Sequence, residues 1–84
     1  MHTTDIRADE ALWATSMLPE GLLERWLVAD GCVLAAGDPV ARIRVEEGLH
    51  DILAPADGRL TRLAAENDVI EPGSLLATVR AVAF

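Results

Sequence analysis

Val33-Leu34-Ala35-Ala36-Gly37-Asp38-Pro39-Val40-Ala41-Arg42-Ile43 returns, 36 residues further on, as Val69-Ile70-Glu71-Pro72-Gly73-Ser74-Leu75-Leu76-Ala77-Thr78-Val79. Val33 matches Val69, Leu34 matches Ile70, Gly37 matches Gly73, Val40 matches Leu76 and Ile43 matches Val79. Upstream the spacing is 37, with Gly21 answered by Gly58, so the second copy has lost one residue in its first strand or turn. Each half is too small to bury its own apolar face, and the two must pack together. Asn67 stands where the first copy has Gly31, and both residues tolerate the left-handed backbone that such a turn demands.

Turn signals recur at short intervals along the chain: Asp30-Gly31, Gly37-Asp38-Pro39, Glu47-Gly48, Asp57-Gly58, Asn67-Asp68 and Pro72-Gly73. Short apolar segments punctuated in this way belong to all-β sandwiches or barrels. Strands are predicted at residues 11–15, 22–28, 39–45, 49–54, 59–65 and 75–82, with very short pairings near Val33 and Val69. The segment 22–28 is rich in good helix formers, but Gly21 before it and Asp30-Gly31 after it favour a strand. Residues 1–9 are polar and lack periodicity, which predicts a loosely ordered tail ahead of a single domain over 10–84. Trp13 is expected on the first strand with its ring against the sandwich; the alternative role is an anchor for a partner protein.

Composition narrows the function classes. The chain has 84 residues, 51% of them hydrophobic and few aromatic, enough for one small domain around an aliphatic core. Fourteen acidic residues against seven arginines give a net charge of −7, which repels nucleic-acid backbones and anionic membrane surfaces. Cys32 is alone and forms no internal disulfide, and no stretch is long and apolar enough to cross a bilayer, so a cytoplasmic protein is expected. There is no lysine, and the N-terminal amine is the only primary amine in the chain.

The succession Glu20-Gly21, Arg25-Trp26-Leu27-Val28, Asp30-Gly31 and Ala36-Gly37-Asp38-Pro39-Val40-Ala41 resembles the first half of a lipoyl domain of the 2-oxo acid dehydrogenase acyltransferases. Ala54-Pro55-Ala56-Asp57-Gly58 is similar to the family's Ala-Pro-x-x-Gly, and Asn67-Asp68-Val69, Pro72-Gly73 and Leu75-Leu76-Ala77 follow in family order. The lipoyl and biotinyl resemblance implies a flattened barrel, a barrel-sandwich hybrid of two four-stranded antiparallel sheets related by a quasi-twofold axis. It also implies a modification hairpin at one end and the termini at the other.

Counting back from Ala54-Pro55 places the family's Asp-Lys-Ala triplet on Glu46-Glu47-Gly48, with Glu47 at the lysine position. In the family that lysine forms an amide to lipoate or biotin. A glutamate has no amine, so no cofactor is expected. Glu46 keeps the acidic character of the Asp and nothing like the biotinyl Met-Lys-Met is present, which leans the resemblance towards the lipoyl type.

Cys32, the Met1 amine and Ser74 are the other conceivable acceptors; a small core role suits Cys32 better, Met1 lies at the wrong end, and Ser74 sits in a tight turn. Glu46, Glu47, His50 and Asp51 lie close in sequence, but His50 and Asp51 alternate across a strand and form no metal site. No phosphate loop or nucleophilic constellation is present, and no independent enzyme is expected.

Three function classes remain. The first is a non-modifiable lipoyl-like binding module that docks through Glu46, Glu47 and His50 on a protein partner, either a dehydrogenase-complex component or a lipoate-handling enzyme. The second is a carrier modified at a non-lysine atom. The third is a vestigial or structural attachment domain. Short strands and an acidic surface favour a monomer.

Overall fold

The doubled sequence folds as two matching sheets. The computed structural model describes residues 2–82. The strands are β1 (Thr3–Arg7), β2 (Gly21–Trp26), β3 (Val33–Leu34), β4 (Pro39–Val45), β5 (Gly48–Leu53), β6 (Gly58–Arg62), β7 (Val69–Ile70) and β8 (Leu75–Arg80), with one 3₁₀ turn at Glu10–Trp13. One sheet runs β1-β8-β6-β3 and the other β5-β4-β2-β7, and every pairing is antiparallel. Moving four strands along the chain turns the first order into the second, which is the quasi-twofold relation expected from the repeat. The result is a flattened barrel-sandwich.

Alternation decides which side chains enter the barrel. On β4, Ile43 and Val45 point inward while Arg42 and Arg44 stay at the surface. Leu23, Ile43, Leu60 and Leu76 are wholly buried, and all belong to one core. Val40-Ala41 are consecutive buried residues because the β4–β5 register shifts there; Leu76-Ala77, 36 positions later, repeat this against β1. The repeat thus reproduces this irregularity as well.

The lost residue can be located. Leu22 pairs with Arg44 and Leu23 with Ile43, just as Arg59 pairs with Arg80 and Leu60 with Val79. The register of β2 then slips past Glu24, whereas β6 runs on without interruption. Glu24 is therefore the extra residue of the first copy, and it has no counterpart in the second.

Two sequence expectations are corrected. Residues 1–9 are not a loose tail throughout: Thr3–Arg7 form β1, paired with β8 from Thr3↔Arg80 to Arg7↔Leu75. The stretch Thr3-Thr4-Asp5-Ile6-Arg7 needs only Ile6 and the following Ala8 to bury, at 2% and 1% exposure, and β8 supplies the backbone partners. Residues 11–15 are not a strand. Asp9 accepts the Ala11 N–H at 2.9 Å and starts the 3₁₀ turn, which still delivers the Trp13 ring to the core.

Turns are held largely by carboxylates. Asp38 accepts the Ala35 N–H at 3.0 Å and Asp68 accepts the Ala65 N–H at 2.8 Å, while Ser74 does the same for Glu71 at 2.8 Å. Asp30 and Asp57 accept amide protons from Arg62 and Ala36 on other segments. Removing such an acceptor leaves a turn amide without its partner, at a cost of about 1 kcal/mol. Asp68→Ala is accordingly expected to lower the thermal midpoint by roughly 5 °C, and Asp68→Asn by less, in a circular-dichroism melt. Equal midpoints for Asp68→Ala and the parent would show that this bond contributes nothing.

Candidate functional site at the hairpin tip

β4 and β5 close on the pair Val45↔Gly48, leaving Glu46 and Glu47 as a two-residue loop. Glu46 takes the first position with φ of 55°, a left-handed conformation that a non-glycine residue adopts at some expense. Its side chain does not simply face solvent. Oε1 accepts the backbone N–H of Met17 at 3.0 Å, bridging 29 residues of sequence. Glu47 is exposed and makes no hydrogen bond among the described residues.

The bracing segment is itself an exception to the repeat. Residues 8–20 connect β1 to β2, whereas residues 54–57 suffice between the equivalent β5 and β6. This first-copy insertion lies against the hairpin, and Ala11, Leu12, Ala14, Thr15 and Ser16 form one wall of a cleft of about 420 Å³. Glu46, Glu47 and His50 line the same cleft, so the three candidate residues share one concave surface. His50 is half-buried, with its imidazole beside Gly48.

Asp51 is not part of that cleft wall. It pairs with Arg42 at 3.0 Å on the outer face of the sheet, and this bond and charge hold the Arg42 guanidinium above its ordinary pKa. Arg44 is paired with Glu24 at 2.6 Å on the same face. Among the described residues, no three His, Cys, Asp or Glu side chains converge as metal ligands. Cys32 is half-buried and packs against the core, and Ser74 Oγ caps its turn.

Sequence reasoning missed the neighbours of the tip. Met17 is 90% exposed and Leu18 59%, beside the hairpin because Glu46 holds Met17 there. Pro19 and the break in apolar spacing after Trp13 were the available signals that residues 14–20 form a loop. An amide-linked lipoyl or biotinyl group does not fit this tip, since a carboxylate occupies the position of the amine and the chain has no lysine to replace it.

No helix of the described residues is long and apolar enough to cross a membrane. No family model matches the chain. Over 59 residues, 70% of its length, it is 34% identical to an acetyl-CoA carboxylase of Dictyostelium discoideum. That stretch spans only 3% of the carboxylase. An all-β, two-sheet domain with a braced carboxylate hairpin is thus similar in sequence to a short segment of a much larger enzyme.

Proposed function

We propose that the chain is a lipoyl/biotinyl-type domain without its acceptor lysine, serving as a non-catalytic binding module in the cytoplasm. The observation that carries this reading is Glu47, seated where the family resemblance puts the modified lysine, in a hairpin that keeps its two-residue loop. The similarity to part of a carboxylase supports a carrier-type origin, and it sets a biotin-dependent carboxylase beside the 2-oxo acid or acetoin dehydrogenases as a source of partners. Recognition rests on the wall formed by Glu46, Glu47 and His50.

The intact mass of the protein isolated from its native cells tests this reading first. The unmodified mass is expected; an increment equal to lipoate, biotin or an acyl group would overturn it in favour of a carrier modified at another atom. Glu46→Ala/Glu47→Ala is expected to reduce capture of purified dehydrogenase components or lipoate ligase at least tenfold, and undiminished capture would remove the hairpin from the interface. Capture of none of these proteins by the parent would favour the vestigial reading.

Glu47→Lys probes the hairpin geometry directly. With lipoate ligase, ATP and lipoate, this variant is expected to gain one lipoyl group while the parent gains none. Absence of modification, with an authentic lipoyl domain modified in parallel, would count against a preserved carrier hairpin.

A further inference from the structure

β5 and β1 are the matching edge strands of the two sheets, and their registers agree residue for residue. Leu49 pairs with Arg44 as Thr3 does with Arg80, Asp51 with Arg42 as Asp5 with Thr78, and Leu53 with Pro39 as Arg7 with Leu75. Ala54 donates to the Asp38 carbonyl and accepts the Gly37 N–H, each at 2.8 Å, so its backbone groups face the β4 side. Hydrogen-bonding direction alternates along an antiparallel strand. Gly48, His50 and Ile52 therefore face β4 as well, while Leu49, Asp51 and Leu53 direct their N–H and C=O groups away from the sheet. Among the described residues, no bond is made to those outward groups.

The two edges differ in their side chains. On β1 the outward residues are Thr3, Asp5 and Arg7, and Arg7 is held by Asp5 and by the Gly73 carbonyl, both at 3.0 Å. Polar side chains and a local ion pair protect an edge from further pairing. On β5 the same places hold Leu49 and Leu53, 49% and 55% exposed, with Asp51 between them. A strand laid along β5 would cover both leucines and set its central side chain opposite Asp51, whose Oδ1 takes Arg42. Beside this edge lie the cleft of about 420 Å³ at the tip and a hollow of about 320 Å³ lined by Arg7, Asp9, Leu12, Asp51, Ile52 and Leu53. Leu12 is common to both, and the two leave room for the added strand's remaining side chains.

Charge selects the occupant. Asp9, Glu46, Glu47 and Asp51 line these hollows against one arginine, Arg7, which Asp5 already holds. A second copy of β5 fits poorly: the antiparallel pairing that sets Leu49 on Leu53 of the copy also sets Asp51 on Asp51, and like charges directly opposite are unfavourable. A basic side chain between two apolar ones answers all three positions. We propose that the open edge of β5 receives an extended segment of a partner protein as an added strand, with arginine or lysine opposite Asp51 and apolar residues opposite Leu49 and Leu53. Strand addition goes beyond the tip wall of Glu46, Glu47 and His50 and does not require it.

Amide hydrogen exchange followed by NMR tests this, with the capped peptide Gly-Leu-Thr-Arg-Thr-Leu-Gly as probe at up to about 1 mM. In the free protein the Leu49, Asp51 and Leu53 amides are expected to exchange faster than those of His50 and Ile52. The peptide is expected to slow all three at least tenfold. Replacing its arginine by glutamate should weaken binding about fivefold, and N-methylating its leucines and arginine should abolish the slowing. Leu49→Lys/Leu53→Lys alters exposed residues only, and is expected to weaken binding at least tenfold while leaving the thermal melt in place. No slowing by the peptide, or equal slowing by the glutamate peptide, would overturn the proposal. So would shifts confined to Glu46 and Glu47, which would leave the tip as the recognition surface, and slowing that follows protein concentration without peptide, which would give the edge to a second copy.

Discussion

Gly58→Ala is expected to lower the thermal midpoint by roughly 15 °C or more, corresponding to a loss of about 3 kcal/mol. Gly58 opens β6 with φ of 150°, and an added Cβ would lie 2.3 Å from the Arg80 carbonyl oxygen and 2.8 Å from a Val79 methyl. Neither obstacle is a flexible side-chain end. The β6–β8 pairing would have to separate at Arg59↔Arg80, in the middle of its sheet. Gly21, its counterpart, provides the control: there a Cβ meets the Arg44 carbonyl oxygen and Trp13 Cζ2 at 3.0 Å, without a positive φ. Gly21→Ala is expected to cost less. A calorimetric or circular-dichroism melt of both variants decides the matter, and a Gly58→Ala midpoint within a few degrees of the parent would refute the close approach.

Replacing Trp26 by alanine is expected to remove about 3–5 kcal/mol, a large part of the stability of a domain this size. Trp26 is 7% exposed and ties the first copy to the second. Its indole N–H donates to the Ala64 carbonyl at 3.0 Å, its backbone N–H donates to Glu66 at 3.3 Å, and the Arg62 guanidinium lies 5.5 Å from its ring centre. Trp26→Phe separates these contributions. It keeps most of the apolar burial and leaves the Ala64 carbonyl unpaired, for a loss of about 1–2 kcal/mol. Urea titrations should rank the parent above Trp26→Phe and both above Trp26→Ala; a phenylalanine variant as unstable as the alanine one would move the weight from packing to the hydrogen bond.

What the sequence made legible was the part the repeat records twice. Pro39–Val45 is a strand with the predicted bounds, and Gly31 and Asn67 take φ of 84° and 74°, the left-handed conformation their matched positions required. The lost residue also proves to be in the first strand of the second copy, opposite Glu24. The errors fall where the copies differ. β1 has one buried side chain and depends on hydrogen bonds to a strand some seventy residues away, so no local pattern announces it. The insertion 8–20 has no second copy against which to be read, and its 3₁₀ turn hinges on a single Asp9 cap.

The candidate site was legible to the same degree. Position fixed Glu46 and Glu47 at the tip, because hairpin register counts residues. Their different situations could not be read from spacing, since the Glu46 bond to Met17 arises only once the insertion folds back over the hairpin. The acidity of the chain has a related explanation. Asp9, Asp30, Asp38, Glu46, Asp57, Glu66 and Asp68, half of its fourteen acids, accept backbone N–H groups. Much of the net charge thus serves the turns.

β8 lies at the centre of its sheet, between β1 and β6, and both neighbours precede it in the chain. On a ribosome, β1 and β6 therefore emerge with unsatisfied edges and wait for β8 before their sheet can form. Such long-range closure places folding in the slow range of small domains, about milliseconds to seconds. During that interval the nascent chain offers unpaired strands to its neighbours. The arrangement that joins the two copies so thoroughly once complete makes the domain dependent on being finished first.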